Sequence, residues 1–308
     1  MIPEVHSNRL TSAPGQCFLC PRKCGVDRLA GGLGYCKAGS KVQVFRHGLH
    51  HGEEPPISGT RGSGTVFFSR CTLRCIFCQN HPWSHGGEGR TYGADELADV
   101  FVTLARSGAH NWNWVSPTPW LPWILEALDL AAARGVRLPV VYNTSGFESV
   151  DVLRELDGRV AVYLTDLRYA KPESAQAGSG CSDYVIAARL ALEEMWRQVG
   201  PLQMDNEGIA RNGTICRLLV LPGMAEEAVA NLEWLAASIG TEISVSVMSQ
   251  YTPAYHAVGR EPWGRRPTAD EYQTVVAAVE RLGFSQGWVQ DYETPPADEL
   301  VGFKMSPV

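Results

Sequence analysis

Residues 65–80 read "TVFFSRCTLRCIFCQN": a run of apolar and β-branched residues that breaks at Ser69–Arg70 into a loop carrying Cys71, Cys75 and Cys78. A short apolar run bounded by polar residues predicts a strand, and its near-continuous apolar character suits one covered on both faces, as in a parallel sheet. The C-x3-C-x2-C spacing then puts three thiols on one strand-to-loop junction, where a tight loop can direct them at a single point.

The same alternation repeats downstream. "NWNWVS" (111–116), "LPVVYN" (138–143), "VAVYLTD" (160–166), "TICRLLVLP" (214–222) and "EISVSVMSQ" (242–250) predict five further strands. Segments 95–108, 121–135, 150–158, 183–200 and 225–240 space apolar residues at three and four and predict the helices between them, and 268–283 predicts one more after the last strand. Repeated strand–helix units with short connections predict an α/β fold with a parallel sheet. Six units favour a partial (β/α)6 barrel, open along one side, with function on the loops that leave the C-terminal ends of the strands.

The first 60 residues differ, being rich in Gly, Cys and charge without a long periodic segment. They predict a small N-terminal cysteine-rich metal-binding module held by ligation. Residues 50–64, "HHGEEPPISGTRGSG", read as a Pro/Gly-rich connector; His47, His50, His51, Glu53 and Glu54 could line the mouth of the site, but a solvated linker is the better reading of them. The expected division is therefore 1–60 for module and connector, 61–294 for the barrel, and 295–308 for a C-terminal tail. Within the module, Cys17, Cys20, Cys24 and Cys36 follow C-x2-C-x3-C-x11-C, a set able to complete one tetrahedral zinc or one 4Fe-4S cluster.

The 308 residues are 44% hydrophobic, enough for a sizeable core, and a net charge of -6 with no basic stripe argues against a DNA partner. The N-terminus lacks the basic start and apolar run of an export signal and no stretch reaches membrane-span length, so a cytoplasmic protein without a membrane partner is expected. In that reducing compartment nine cysteines at short spacings suggest metal ligation or catalysis more than disulfides. Spacing alone leaves several roles open for Cys71, Cys75 and Cys78: an iron-sulfur cluster short of one protein ligand, a zinc site completed by His81 or His85, a redox pair with a bystander, or buried thiols.

With "GTVFFSRCTLRCIFCQN" (64–80), the segments "VYNTSGFE" (141–148), "DLRYAKP" (166–172), "RLLVLPG" (217–223) and "MSQYTP" (248–253) resemble the radical S-adenosylmethionine superfamily, in the branch related to pyruvate formate-lyase activating enzymes. The similarity runs from about Cys17 to about Tyr292 and favours the cluster among the alternatives. It implies a 4Fe-4S cluster on Cys71, Cys75 and Cys78 whose fourth iron is chelated by S-adenosylmethionine. It also implies reductive cleavage to a 5′-deoxyadenosyl radical that abstracts hydrogen from a substrate, and an electron donor such as flavodoxin or ferredoxin. The substrate would be a glycyl radical enzyme, or a small molecule or peptide. Phe77 would pack on the adenine; Asn143 and Ser145 would meet ribose hydroxyls or the carboxylate; Asp166, Arg168 and Arg217 would line the site. Thr118 would help receive the ammonium, because the loop after the second strand, Ser116–Pro119, lacks the acid and glycine usual there. Two further departures are Asn143, where activating enzymes carry an acid, and Leu218, where relatives often carry His. The competing class is a binding or scaffold protein whose two cysteine clusters are both structural zinc.

Overall fold

The computed structural model describes Leu10 and residues 14–292. Its elements in chain order are β1 (Val42–His50), α1 (Pro55–Ser58), β2 (Ser63–Phe68), α2 (His81–Ser84), β3 (Arg90–Tyr92), α3 (Ala94–Arg106), β4 (Trp112–Val115), α4 (Leu121–Ala133), β5 (Val140–Thr144), α5 (Val150–Glu155), β6 (Val162–Asp166), α6 (Pro172–Ser179), α7 (Tyr184–Val199), β7 (Gln203–Met204), β8 (Ala210–Leu219), α8 (Ala225–Ser238), β9 (Ser244–Met248), α9 (Ala269–Leu282) and β10 (Gly287–Val289).

Strands β2, β4, β5, β6, β8, β9 and β10 pair in parallel and in chain order, the winding that repeated strand–helix units produce when each new unit docks beside the last. At the other edge β1 pairs antiparallel with β2, and β3 with β1, leaving the sheet open. The six expected strands are all present, and a seventh parallel strand, β10, follows α9. The helix α6 was not expected; its segment, "PESAQAGS", carries no apolar stripe.

The amphipathic helices cover the sheet as their spacing predicts. In α3, Leu97, Phe101 and Leu104 face inward at four- and three-residue steps, and the Phe101 ring sits 5.3 Å from Trp112 and 5.8 Å from Trp114. At α9 a capping box fixes the start: Glu271 N–H donates to Thr268 Oγ1 (3.2 Å), and Thr268 N–H donates back to Glu271 Oε2 (2.7 Å). Gly283, at φ 80°, ends it in the left-handed conformation that glycine adopts without penalty.

On the opposite face, Val141, Val162, Leu164 and Ile215 form an apolar floor with Ile57 of α1. Towards the C-terminal ends of the strands the lining turns polar, and Asp166, Arg217 and Ser246 stand in register across β6, β8 and β9. This change of character places the site.

The expected boundary at residue 60 runs through the sheet. β1 lies in the stretch assigned to the module, and its register with β2 extends from Val44↔Phe68 to His50↔Ser63. Cys17, Leu19, Ala38 and Val42 join the same core as Val66 and Trp114. Physically, "VQVFRHGLH" carries charged and Gly positions that weaken a strand signal, and the sheet edge tolerates them because only part of each face is covered. The expected tail, 295–308, lies outside the described residues. Among the described residues no helix is long and apolar enough to cross a membrane.

Candidate active site

Strand β2 ends at Phe68, and the chain turns sharply at Arg70, which adopts φ 74°. That conformation is strained for a side-chain-bearing residue and needs external support. Arg70 N–H donates to Trp83 O (3.0 Å), and its guanidinium donates to Gln43 Oε1 (3.1 Å) and His85 O (3.1 Å). Trp120 Nε1 donates to Ser69 O (2.7 Å), so the loop after β4 braces the same turn. Cys71, Cys75 and Cys78 follow on one tight loop, closed by Cys78 N–H to Cys75 O (3.3 Å) and continued into α2 by His81 N–H to Cys78 O (3.2 Å).

The thiols face two adjoining spaces. Cys71 lines a cavity of about 340 Å³, and Cys75 and Cys78 line an adjoining one of about 130 Å³; Gln79, Asn80, Arg168, Leu219 and Gln250 belong to both walls. Burial, reinforced by the neighbouring Cys75, pushes the Cys71 thiol up to about 11 and the Cys78 thiol up to about 12. Without a metal's charge both are neutral thiols at pH 7. Cys75 Sγ lies 2.9 Å from Ser179 Oγ and accepts from Arg168 Nη1 at 3.1 Å, while Cys78 Sγ lies 3.2 Å from Ser84 Oγ.

The larger cavity's polar wall comes from the ends of β5, β6, β8 and β9: Asn143, Ser145, Asp166, Arg168, Arg217 and Ser246. Arg168 donates to Asp166 Oδ2 through Nε (3.1 Å) and Nη2 (2.5 Å). Arg217 forks onto Glu54 through Nε (2.7 Å) and Nη2 (2.5 Å), and Nη2 also donates to Glu53. Burial opposes ionisation of Glu54, yet Arg217 more than offsets it and holds the carboxyl below the usual range. Glu53 Oε1 accepts from Asn113 Nδ2 (2.8 Å) and Asn143 Nδ2 (3.3 Å).

The connector is therefore solvated at His51, as expected, but not at Glu54, which is 7% exposed, or at His50, at 3%. The reason is Arg217, a cation on an otherwise apolar strand that cannot be buried without anions, and the connector supplies two.

Phe77 is buried, stacked on Trp263 (5.3 Å between centroids, planes 10° apart) and 5.6 Å from Tyr251, with part of its surface in the smaller cavity. Thr118 departs from expectation and lines neither cavity. The chain enters a 3-10 turn at Thr118–Trp120 after Ser116 at φ 56°, and this sends the hydroxyl to Glu148 Oε1 (2.6 Å). Glu148 escaped the sequence reading. It is buried, has no cation paired with it among the described residues, and also accepts from Thr144 Oγ1 (2.5 Å) and Tyr142 Oη (3.3 Å). Burial pushes its carboxyl up to about 7, with the three hydroxyls pulling in the opposite direction. The one signal in the sequence was an acid four residues beyond a strand-terminal Thr, in "NTSGFE".

Cys17, Cys20, Cys24 and Cys36 border one narrow void of about 10 Å³, shared with Tyr35, Thr72 and Thr118 among others. Lys23 (φ 45°) and Gly25 (φ 64°) turn the chain on either side of Cys24, and Lys37 (φ 57°) turns it after Cys36. Arg28 is buried behind them: Nε (2.8 Å) and Nη2 (2.5 Å) donate to Gly39 O, Nη1 donates to Pro119 O (2.5 Å), and its guanidinium lies 5.0 Å from the Trp120 ring and 4.7 Å from Trp123. Arg22 Nε donates to Thr72 O (3.1 Å), next to Cys71, and its guanidinium covers Tyr35 at 3.5 Å. The four-cysteine segment is thus docked on the three-cysteine loop. Among the described residues no three or more His, Cys, Asp or Glu side chains sit close enough to hold a single metal ion.

No protein-family profile matches the chain. It is 27% identical over 275 residues to an uncharacterized protein of Methanocaldococcus jannaschii, covering 86% of this chain and 74% of that one. Among solved structures it is similar to anSMEcpe with bound AdoMet (10% identity, TM-score 0.46, 68% of this chain and 57% of that one). It is likewise similar to the FeFe-hydrogenase maturase HydG of Carboxydothermus hydrogenoformans (15% identity, TM-score 0.49, 71% and 50%). The chain thus spans about half to three fifths of the length of these two structures.

Proposed function

We propose that the protein is a radical S-adenosylmethionine enzyme that holds a 4Fe-4S cluster on Cys71, Cys75 and Cys78. The observation that carries this reading is the loop itself: three thiols and no carboxylate at the C-terminal end of the first parallel strand, arranged around two adjoining cavities with a polar wall.

The donor set fits such a group. Three soft thiolates suit iron-sulfur ligation and leave one iron without a protein ligand, where a cofactor can bind. When bound, the cluster and S-adenosylmethionine supply an electron to the sulfonium and a 5′-deoxyadenosyl radical that takes hydrogen from the substrate.

The chain's own residues bind, orient and exclude water. Phe77, fixed between Trp263 and Tyr251, offers an aromatic surface for adenine in the smaller cavity. Asn143 and Ser145 offer hydrogen bonds to ribose or carboxylate, and Arg168, paired with Asp166, sets its guanidinium between that wall and the Cys75 sulfur. Arg217 is already satisfied by Glu53 and Glu54, so this triad serves as a fixed floor of net negative charge beneath a cationic cofactor. The apolar layer below it shuts water out from the other end.

The finer reading is an activating enzyme of the pyruvate formate-lyase type, acting on a glycyl radical enzyme, or on a small molecule or peptide, in the cytoplasm with flavodoxin or ferredoxin as donor. Resemblance of the five motifs supports it. Cys17, Cys20, Cys24 and Cys36 are proposed to hold a second 4Fe-4S cluster or zinc.

Anaerobically reconstituted protein should be brown and, once reduced, should form 5′-deoxyadenosine from S-adenosylmethionine. Replacing Cys71, Cys75 and Cys78 by Ala should abolish that product. Colourless, zinc-loaded protein that forms none overturns the proposal.

A further inference from the structure

We infer that two side-chain relays, Tyr169–Ser179 and His85–Ser84, are positioning groups that raise the reduction potential of the cluster proposed above, by each delivering a hydrogen bond to one of its three thiolates. The inference rests on that proposal. The relays are built alike. Tyr169 Oη lies 2.7 Å from Ser179 Oγ, which lies 2.9 Å from Cys75 Sγ; His85 Nδ1 lies 2.9 Å from Ser84 Oγ, which lies 3.2 Å from Cys78 Sγ.

A ligating thiolate has no proton, so in both contacts the serine donates and its own oxygen must accept from the group behind it. Tyr169 can only meet this by donating, and it keeps its proton because burial raises its pKa well above the ordinary value. For His85 the requirement selects a tautomer. The proton sits on Nδ1, leaving Nε2 bare, and Nε2 is the buried ring nitrogen without a hydrogen-bond partner. Burial, together with Arg74 and His81, lowers the His85 pKa to about 4, so the imidazole is neutral at pH 7. A lone pair, not an N–H, is left unsatisfied.

Both serines are well buried, Ser179 at 0% and Ser84 at 8% exposure, and their rotamers are fixed by the group behind. Among the described side chains none donates to Cys71. Donors aimed at thiolate sulfur stabilise the added negative charge of the reduced state, so they move the potential upward. Cys75 receives a second donor of the same sense from Arg168 Nη1.

The test is a redox titration, followed by electron paramagnetic resonance, of the full-length protein reconstituted anaerobically, with iron content and circular dichroism matched between variants. Ser179→Ala and Ser84→Ala should each move the midpoint to a more negative potential, the double variant should move it by about the sum, and Tyr169→Phe should move it less than Ser179→Ala. Ser84→Thr, which keeps the donor, should restore the parental value. Parental midpoints in both Ser→Ala variants at full iron content overturn this inference and leave the proposed function standing. A parent protein that forms no iron-sulfur chromophore overturns both.

Discussion

Glu148→Gln probes a carboxyl that folding forces into an apolar interior with three hydroxyls and no cation. In the unfolded chain the group titrates near its ordinary value of 4.5, and in the fold burial lifts it to about 7. A difference of about 2.5 units at about 1.4 kcal/mol each gives about 3 kcal/mol. Because the folded state binds the proton more tightly, the carboxyl costs nothing below about pH 4.5. The penalty then grows as pH rises, and is complete once the folded group has itself ionised, above about pH 7. Glutamine has the same shape and no charge. Thr118, Thr144 and Tyr142 can rotate their hydroxyls to accept from its amide, so the variant escapes the penalty. Urea denaturation of both proteins, prepared identically at steps from pH 5 to 8, should show a gap that opens with pH in favour of Glu148→Gln and reaches about 3 kcal/mol. A gap that does not vary with pH, or a variant less stable than the parent at pH 8, would refute the assignment of Glu148 as an unpaired buried acid.

Arg217→Met removes the one cation shared by Glu53 and Glu54, leaves two carboxylates buried together, and should cost about 3–5 kcal/mol in the same denaturation assay; protonating those acids should recover part of the loss, so the deficit should shrink as pH falls towards 5. Phe101→Ala, which opens a cavity beside Trp112 and Trp114, should cost about 3–5 kcal/mol, with a matching loss of near-ultraviolet dichroism from the indoles. Metal analysis of Cys17→Ala with Cys20→Ala should show loss of one metal centre while the Cys71, Cys75 and Cys78 centre is retained; loss of both together would mean that the two sites cannot be loaded independently.

Legibility in the sequence followed the range of the interactions. The parallel strands from Thr65 onward and the helices between them are written in local apolar spacing, and they lie where that spacing places them. β10, three residues long, and β1, a partly exposed strand next to the sheet edge containing Arg46 and Gly48, leave too weak a periodic signal. Arg217 announced a need for anions without naming them, since Glu53 and Glu54 lie 164 and 163 residues away in the chain. Thr118 failed for a nearer reason: the backbone at Ser116 rotates the following turn, and a list of polar residues after a strand does not encode which way the hydroxyl then faces. Cys71, Cys75 and Cys78 were legible as a group because a single loop holds them.

The docking of Arg28 has a consequence for how the protein is made. Its guanidinium bridges the carbonyls of Gly39 and Pro119, the latter 91 residues further along the chain. The first cysteines to leave the ribosome therefore cannot reach their final arrangement until the second parallel strand and the turn after it have been synthesised and folded. The segment that carries these cysteines is thus seated by a part of the sheet made well after it, and its shape follows from the sheet it sits on.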